Sequence, residues 1–157
     1  MIRPDPPCRK PIMFKHLLLP TDGSPLSENA ALQGIALAST LGAQVTGLHV
    51  SPKFHVLTYR TAMLEDTRSE FEDDTRVHAE RYLAFIAQAA SARGVRCETV
   101  RERSDDVFQV IIDVARSRMC DLIVMASHGR GGVASVLLGS ETNRVLTHSG
   151  IPVLVWR

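Results

Sequence analysis

Apolar positions in this chain switch repeatedly between a strand-like and a helix-like spacing. Met13-Phe-Lys-His-Leu-Leu-Leu19 is a short apolar run stopped by Pro20, which predicts a buried strand. In the turn Thr21-Asp22-Gly23-Ser24-Pro25, Ser24 is suited to cap a helix and Pro25 to its first position. Leu26, Ala30, Ala31, Ile35, Ala38 and Leu41 then recur at helical spacing up to Gly42. Gln44 to Val50 reads as a second strand, ended by Ser51-Pro52. Residues 53 to about 66 keep no period and read as a loop or partly helical flap. From Glu65 to Arg93 a stripe of Phe71, His78, Tyr82, Phe85, Ile86 and Ala89 marks a long helix closed by Gly94.

Val95 to Val100 alternates apolar and polar residues, the pattern of a half-exposed strand near a sheet edge. Ser104 and Asp105 offer a cap to a helix carrying Val107, Val110, Ile111, Val114 and Ala115. Leu122 to Ala126 is the most apolar strand, Ser140 to about His148 a further helix, and Ile151 to Trp156 a last strand. Strands and helices in strict alternation, with strands this apolar, require a parallel sheet covered on both faces.

Composition narrows the class. The 157 residues fit one domain, placed at 12–157 behind an irregular tail at 1–11 that carries Pro4, Pro6, Pro7 and Pro11. With 45% hydrophobic and 22% charged residues the chain reads as soluble and globular. A net charge of +1 lacks the basic face that sequence-independent nucleic-acid binding needs, so no nucleic acid is expected. No run approaches the ~20 apolar residues of a membrane span, and the N-terminus has no apolar signal core. Cys8, Cys97 and Cys120 are too scattered for a disulfide frame or a zinc site and read as reduced thiols of a cytoplasmic protein. The histidines show no ligand spacing, so no metal site is expected. His49 and His78 read as core or near-core residues, and the charges between Glu65 and Glu80 as a solvated helix face.

The chemistry concentrates in Val124-Met-Ala-Ser-His-Gly-Arg-Gly-Gly132, followed by Val133 to Leu138 and Gly139-Ser140. A strand runs through a glycine-rich loop into a helix. Glycines let the backbone approach an anion, and amides at a helix start sit at the positive end of its dipole. The spacing is neither GxxxxGK[ST] nor GxGxxG. It resembles the G-x2-G-x9-G-[ST] signature of the universal stress protein family, ATP-binding subgroup, with Gly129, Gly139 and Ser140 in place and Ala126 at the first glycine. Pro20-Thr-Asp-Gly-Ser24 is similar to the family's P-x-D-x-S, Leu48-His-Val50 to its L-H-V, and Asp121-Leu-Ile-Val-Met125 to its D-L-I-V-M. The likeness extends from about Met13 to Trp156.

The resemblance implies a Rossmann-like α/β fold: an open, parallel, five-stranded sheet in the order 3-2-1-4-5 with helices on both faces. Strand order then reverses between the first and fourth strands, where such sheets bind ligands. It further implies a site for ATP, or for AMP or ADP, with or without Mg2+. Asp22, with Pro20 and Thr21 beside it, and the backbone of Val50 would meet the adenine side. Met125 and Ala126 would line the ribose. Gly129, Gly139, Ser140 and the Glu141 amide would hold phosphates, with His128 and Arg130 adding charge. A homodimer through the C-terminal strand, Pro152 to Trp156, would cover an apolar sheet edge.

Two departures bear on affinity. Ala126 adds a methyl group at the first glycine, cheap where φ is negative and worth ~1 kcal/mol or more where it is positive. The Glu141 carboxylate repels phosphates unless it turns away or shares a Mg2+ ion. Read blandly, the glycines merely shape a tight loop, Asp22 forms a turn, and Ser140 is an N-cap. No nucleophile–base set is visible, so efficient hydrolysis is not expected; slow hydrolysis with water oriented by His128 would leave no trace in the sequence. The alternatives are a stress-protein dimer that binds no nucleotide and acts as an interaction module, and an adenylating enzyme of the nucleotide-alpha-hydrolase type. The second would need an S-G-G-x-D-S-type loop after the first strand, which Thr21 to Ser24 does not supply.

Overall fold

The computed structural model describes residues 13–54, 62–130 and 138–157. The tail at 1–11, part of the flap (55–61) and the centre of the glycine loop (131–137, with Gly131 and Gly132) lie outside the described residues. The elements run β1 (His16–Pro20), α1 (Pro25–Leu41), β2 (Gln44–Ser51), α2 (Ala62–Ala92), β3 (Cys97–Arg103), α3 (Val107–Ser117), β4 (Leu122–Ala126), α4 (Ser140–His148) and β5 (Val153–Trp156). The strands form one parallel sheet in the order β3-β2-β1-β4-β5.

Alternation along β1 divides the core. Leu17 and Leu19 face α1 and α2, packing with Ile35, Val45, Ile86 and Val124. Leu18 faces α3 and α4, packing with Leu48, Ile111, Ile123 and Val145. A strand sandwiched this way has no solvent face, which is why its sequence is a continuous apolar run. Ser24 caps α1 by accepting the Ser27 N–H at 3.3 Å, Pro25 opens it, and Gly42 closes it at φ 67°.

Several boundaries differ from expectation. β1 begins at His16, not Met13, because the Asp121 carboxylate takes the Lys15 and His16 amides and the ladder to β2 starts there. β3 begins at Cys97 because the Val95 amide turns back to the Ala90 carbonyl, and it runs on to Arg103 in register with Ser51. α2 extends back to Ala62. His78 is not in the core: it is half-exposed and stacked on Tyr82, while Ala79 and Leu83 fill the buried positions of that stripe. His49 is buried, as its strand implied.

The two sheet edges are unlike. β3 turns exposed Glu98, Arg101, Glu102 and Arg103 to solvent, charges that discourage pairing with another strand. β5 presents Val153, Leu154, Val155 and Trp156, none of them fully covered, and Leu154 is 36% exposed. The Trp156 indole Nε1 has no hydrogen-bond partner among the described residues. No helix of the described residues is long and apolar enough to cross a membrane.

These packing differences set a test. Ile123→Ala, at a fully buried position of the central layer, is expected to cost about 2–5 kcal/mol in urea unfolding. Arg101→Ala on the solvent face of β3 is expected to change stability by less than about 0.5 kcal/mol. Equal effects would contradict the layer assignment.

Candidate functional site at the strand-order reversal

β1 and β4 are neighbours whose following chains leave to opposite faces, α1 to one and α4 to the other. A crevice of about 490 Å³ opens beyond their carboxyl ends, within the ~300–1,000 Å³ typical of small-molecule sites. Pro20, Thr21 and Asp22 line it from β1, Val50 from β2, and Met125, Ala126, His128 and Gly129 from β4 and its loop. Gly139, Ser140 and Glu141 close it from the start of α4.

Arg130 is not brought there. Its guanidinium lies over the Tyr82 ring, 5.0 Å from the centroid, and is hydrogen-bonded to the Tyr82 hydroxyl. Tyr82 itself is buried edge-on against His49, at 5.2 Å between ring centroids. Read from the sequence, Tyr82 was only one apolar position of a helix stripe; that it holds the Arg130 side chain depends on the fold.

Asp22 joins the two loops that flank the crevice. Its Oδ1 accepts the Ser24 N–H at 3.0 Å, a turn-forming contact, and its Oδ2 accepts the Arg130 N–H at 2.9 Å. Burial alone would raise this carboxyl's pKa, but hydrogen bonds from Ser24, Ser27 and the Arg130 amide outweigh it and lower the value. A Cβ on Gly129 would sit 2.4 Å from Asp22 Oδ2, so the loop's close approach to the carboxylate requires glycine. Gly139 is confined similarly: a Cβ there would lie 3.1 Å from His128 Cα, and its amide donates to the Ser127 carbonyl at 2.6 Å.

The start of α4 differs from that of α1. Its N-cap is Gly139 (φ −68°, ψ 158°), not Ser140, which is the first helical residue. Glycine has no side chain to accept the first-turn amides. Among the described residues nothing supplies an acceptor to the N–H groups of Ser140, Glu141 or Thr142, and all three residues line the crevice. This is an anion-binding arrangement: free donors at the positive end of a helix.

The opposite wall offers a donor and an acceptor of its own. The β1–β2 pairing ends at Pro20↔Leu48, with the Thr21 amide on the Leu48 carbonyl at 2.8 Å. Alternate residues of a parallel strand direct their N–H and C=O to the same side. Val50 therefore turns its backbone groups the way Leu48 does, past the end of β1 and towards the crevice.

Ala126 ends β4 with negative φ, since Met119 is the one non-glycine residue with positive φ among those described. The methyl group is accommodated without backbone strain. The Glu141 side chain turns to α3, where Oε2 accepts the Phe108 N–H at 2.8 Å. The expected cap of α3 by Ser104 or Asp105 is not what forms: Asp106 occupies the N-cap position without a side-chain capping hydrogen bond, and Glu141 serves from another helix. Val107, Ile111 and Thr142 also line the site and were not singled out in the sequence. The first two were visible only as a helix stripe, and Thr142, whose hydroxyl donates to the Ala126 carbonyl at 2.8 Å, carried no signal. Among the described residues no three His, Cys, Asp or Glu side chains gather as a metal-ligand set.

The family model for the universal stress protein family matches residues 13–157. The chain belongs to the universal stress protein family. A universal stress protein of Thermus aquaticus is 31% identical over 147 residues, covering 92% of this chain and all of that one. The solved structure of MJ0577 from Methanocaldococcus jannaschii superposes with a TM-score of 0.78 at 26% identity, over 92% of this chain and 96% of that one. A universal stress protein of Archaeoglobus fulgidus solved in complex with dAMP shares the fold, with a TM-score of 0.63 at 16% identity, over 92% and 99% of the two chains.

The buried histidines of this universal stress protein make its stability pH-dependent. Burial is the main cause that lowers the pKa of both His16 and His49 below 6.5, and His49 Nδ1 donates to the Thr21 carbonyl at 2.8 Å. The unfolded chain therefore binds protons more readily than the folded one once pH falls below about 6.5, and folding free energy is lost on that acid side. The urea midpoint is expected to fall between about pH 7 and about pH 5, less steeply in His49→Asn, whose amide can still donate to Thr21. An unchanged slope in that variant would remove His49 from the account.

Proposed function

We propose that this universal stress protein binds an adenine nucleotide (ATP, ADP or AMP) in the crevice between β1 and β4. It does so as a cytoplasmic homodimer acting in a stress response, not as an efficient enzyme. The observation that carries the reading is the glycine-capped start of α4, whose first-turn amides are open to the crevice. Phosphate oxygens are the natural acceptors for such donors, with Gly129 and Ser140 beside them. Val50 N–H and C=O form a donor–acceptor pair that matches N1 and N6 of adenine, whereas guanine presents the reverse pattern. Asp22 keeps unused lone pairs for ribose or base donors, Met125 and Ala126 supply a flat apolar floor, and His128 is near enough to add charge. Mg2+, where present, would arrive with the nucleotide and neutralise part of the phosphate charge. The dAMP complex of a chain sharing this fold agrees with the class of ligand.

The chemistry of the loop favours binding over turnover. Ser127 Oγ lies 3.1 Å from His128 Nδ1, but Ser127 is 2% exposed and no carboxylate among the described residues orients the histidine. The competing reading, an interaction module without nucleotide, draws on two loop amides already satisfied from within, Arg130 on Asp22 and Gly139 on Ser127. Dimerisation is argued from the edges: β5 is apolar and open, and pairing with a second β5 about a two-fold axis would bury Leu154 and Trp156.

Denaturing the purified protein and separating the released small molecules by ion exchange should yield an adenine nucleotide. In a thermal-shift series, ATP at a hundred times its dissociation constant should add ~2.7 kcal/mol, a few degrees at this chain length. Gly139→Val should abolish the shift. No co-purified nucleotide and no shift with ATP and Mg2+ would leave the interaction module as the better reading. For the dimer, Leu154→Lys should convert a two-chain species to one chain in sedimentation, and a wild type that sediments as one chain refutes the edge pairing.

A further inference from the structure

Glu141 stands at a junction that the nucleotide reading does not by itself explain. It is the second residue of α4, in the turn whose amides face the crevice, yet its carboxylate is committed elsewhere. Oε2 accepts the Phe108 N–H at 2.8 Å, and Oε1 lies 3.6 Å from an Arg144 nitrogen. Phe108 is the second residue of α3, a helix whose own N-cap, Asp106, turns its carboxylate to Arg144 and makes no side-chain capping hydrogen bond. Arg144 seals the contact: it pairs with Asp106 at 3.3 Å and lies 3.8 Å over the Phe108 ring. Val107 and Ile111, in the first turns of α3, form the apolar wall of the crevice.

We propose that Glu141 is a positioning residue that holds this wall against the nucleoside half of the ligand by capping α3 from α4. The proposal rests on nucleotide binding in the crevice. A carboxylate at the mouth of α3 meets the positive end of that helix and an amide that would otherwise lack an acceptor. Its carboxylate is turned to α3 and paired with Arg144, which lessens its repulsion of phosphates at the start of α4. One side chain thus ties the phosphate end of the site to the base end.

The test compares Glu141→Ala, Glu141→Gln and Val107→Ala in the full chain, with AMP and inorganic tripolyphosphate as calorimetric probes. Glu141→Ala is expected to weaken AMP about tenfold and to leave tripolyphosphate within about twofold, because the wall is released while the α4 amides stay. Amide hydrogen exchange in the first turn of α3 should quicken in the same variant. Glu141→Gln keeps an oxygen acceptor and should restore both AMP affinity and slow exchange. Val107→Ala, which leaves the cap intact, should weaken AMP severalfold without affecting tripolyphosphate, and it reads the wall even where Glu141→Ala does not fold. AMP affinity unchanged in Glu141→Ala or Val107→Ala overturns the proposal, as does equal loss of both probes or a Glu141→Gln variant as weak as Glu141→Ala. A wild type that binds neither AMP nor ATP removes the nucleotide reading and this proposal with it; a wild type that binds AMP while the variants match it removes only the proposal.

Discussion

The geometry of the site hangs on the Asp22 carboxylate. One oxygen shapes the turn after β1 and the other accepts an amide of the loop after β4. These loops lead from neighbouring strands to helices on opposite faces of the sheet, and among the described residues no strand pairing ties them together. A charged acceptor bridging two amides is a strong contact, and here it is partly shielded from water. Gly129 is glycine because that bridge leaves no room for a Cβ.

The fold was legible because the strands are buried on both faces. Leu17 to Leu19, Val45 to Leu48 and Leu122 to Ala126 have no solvent side, and runs that are apolar throughout, or broken only by Thr46 and Gly47, announced a parallel sheet. The family resemblance supplied the strand order, which local patterns do not encode. Boundaries were less legible where a distant group sets them. Asp121 holding the amides before β1, and Ser51 keeping β3 in register to Arg103, are contacts between residues far apart in sequence.

The candidate site was legible to the extent that it is built from backbone and glycine. The cradle residues on β1, β4 and α4 line one cavity because motif positions at strand ends converge in any sheet of this order. Side-chain direction was not legible. Arg130 and Glu141 both looked like charges facing phosphate, yet one lies on Tyr82 and the other caps α3. Their partners sit on helices whose sequence stripe reports burial, not which polar group each helix end will meet. Ser140 carries the same lesson. A serine before a helix reads as an N-cap, and the glycine ahead of it takes that position instead.

The unlike borders of the sheet carry a consequence for growth. Strand addition is self-limiting only if each chain offers a single sticky margin. With arginines and glutamates fencing β3, a pair joined back to back at β5 would show the same charged rim at both ends. Such a ten-stranded ribbon would offer no bare margin to a third copy, so the asymmetry that would favour pairing at one edge would also oppose a fibre.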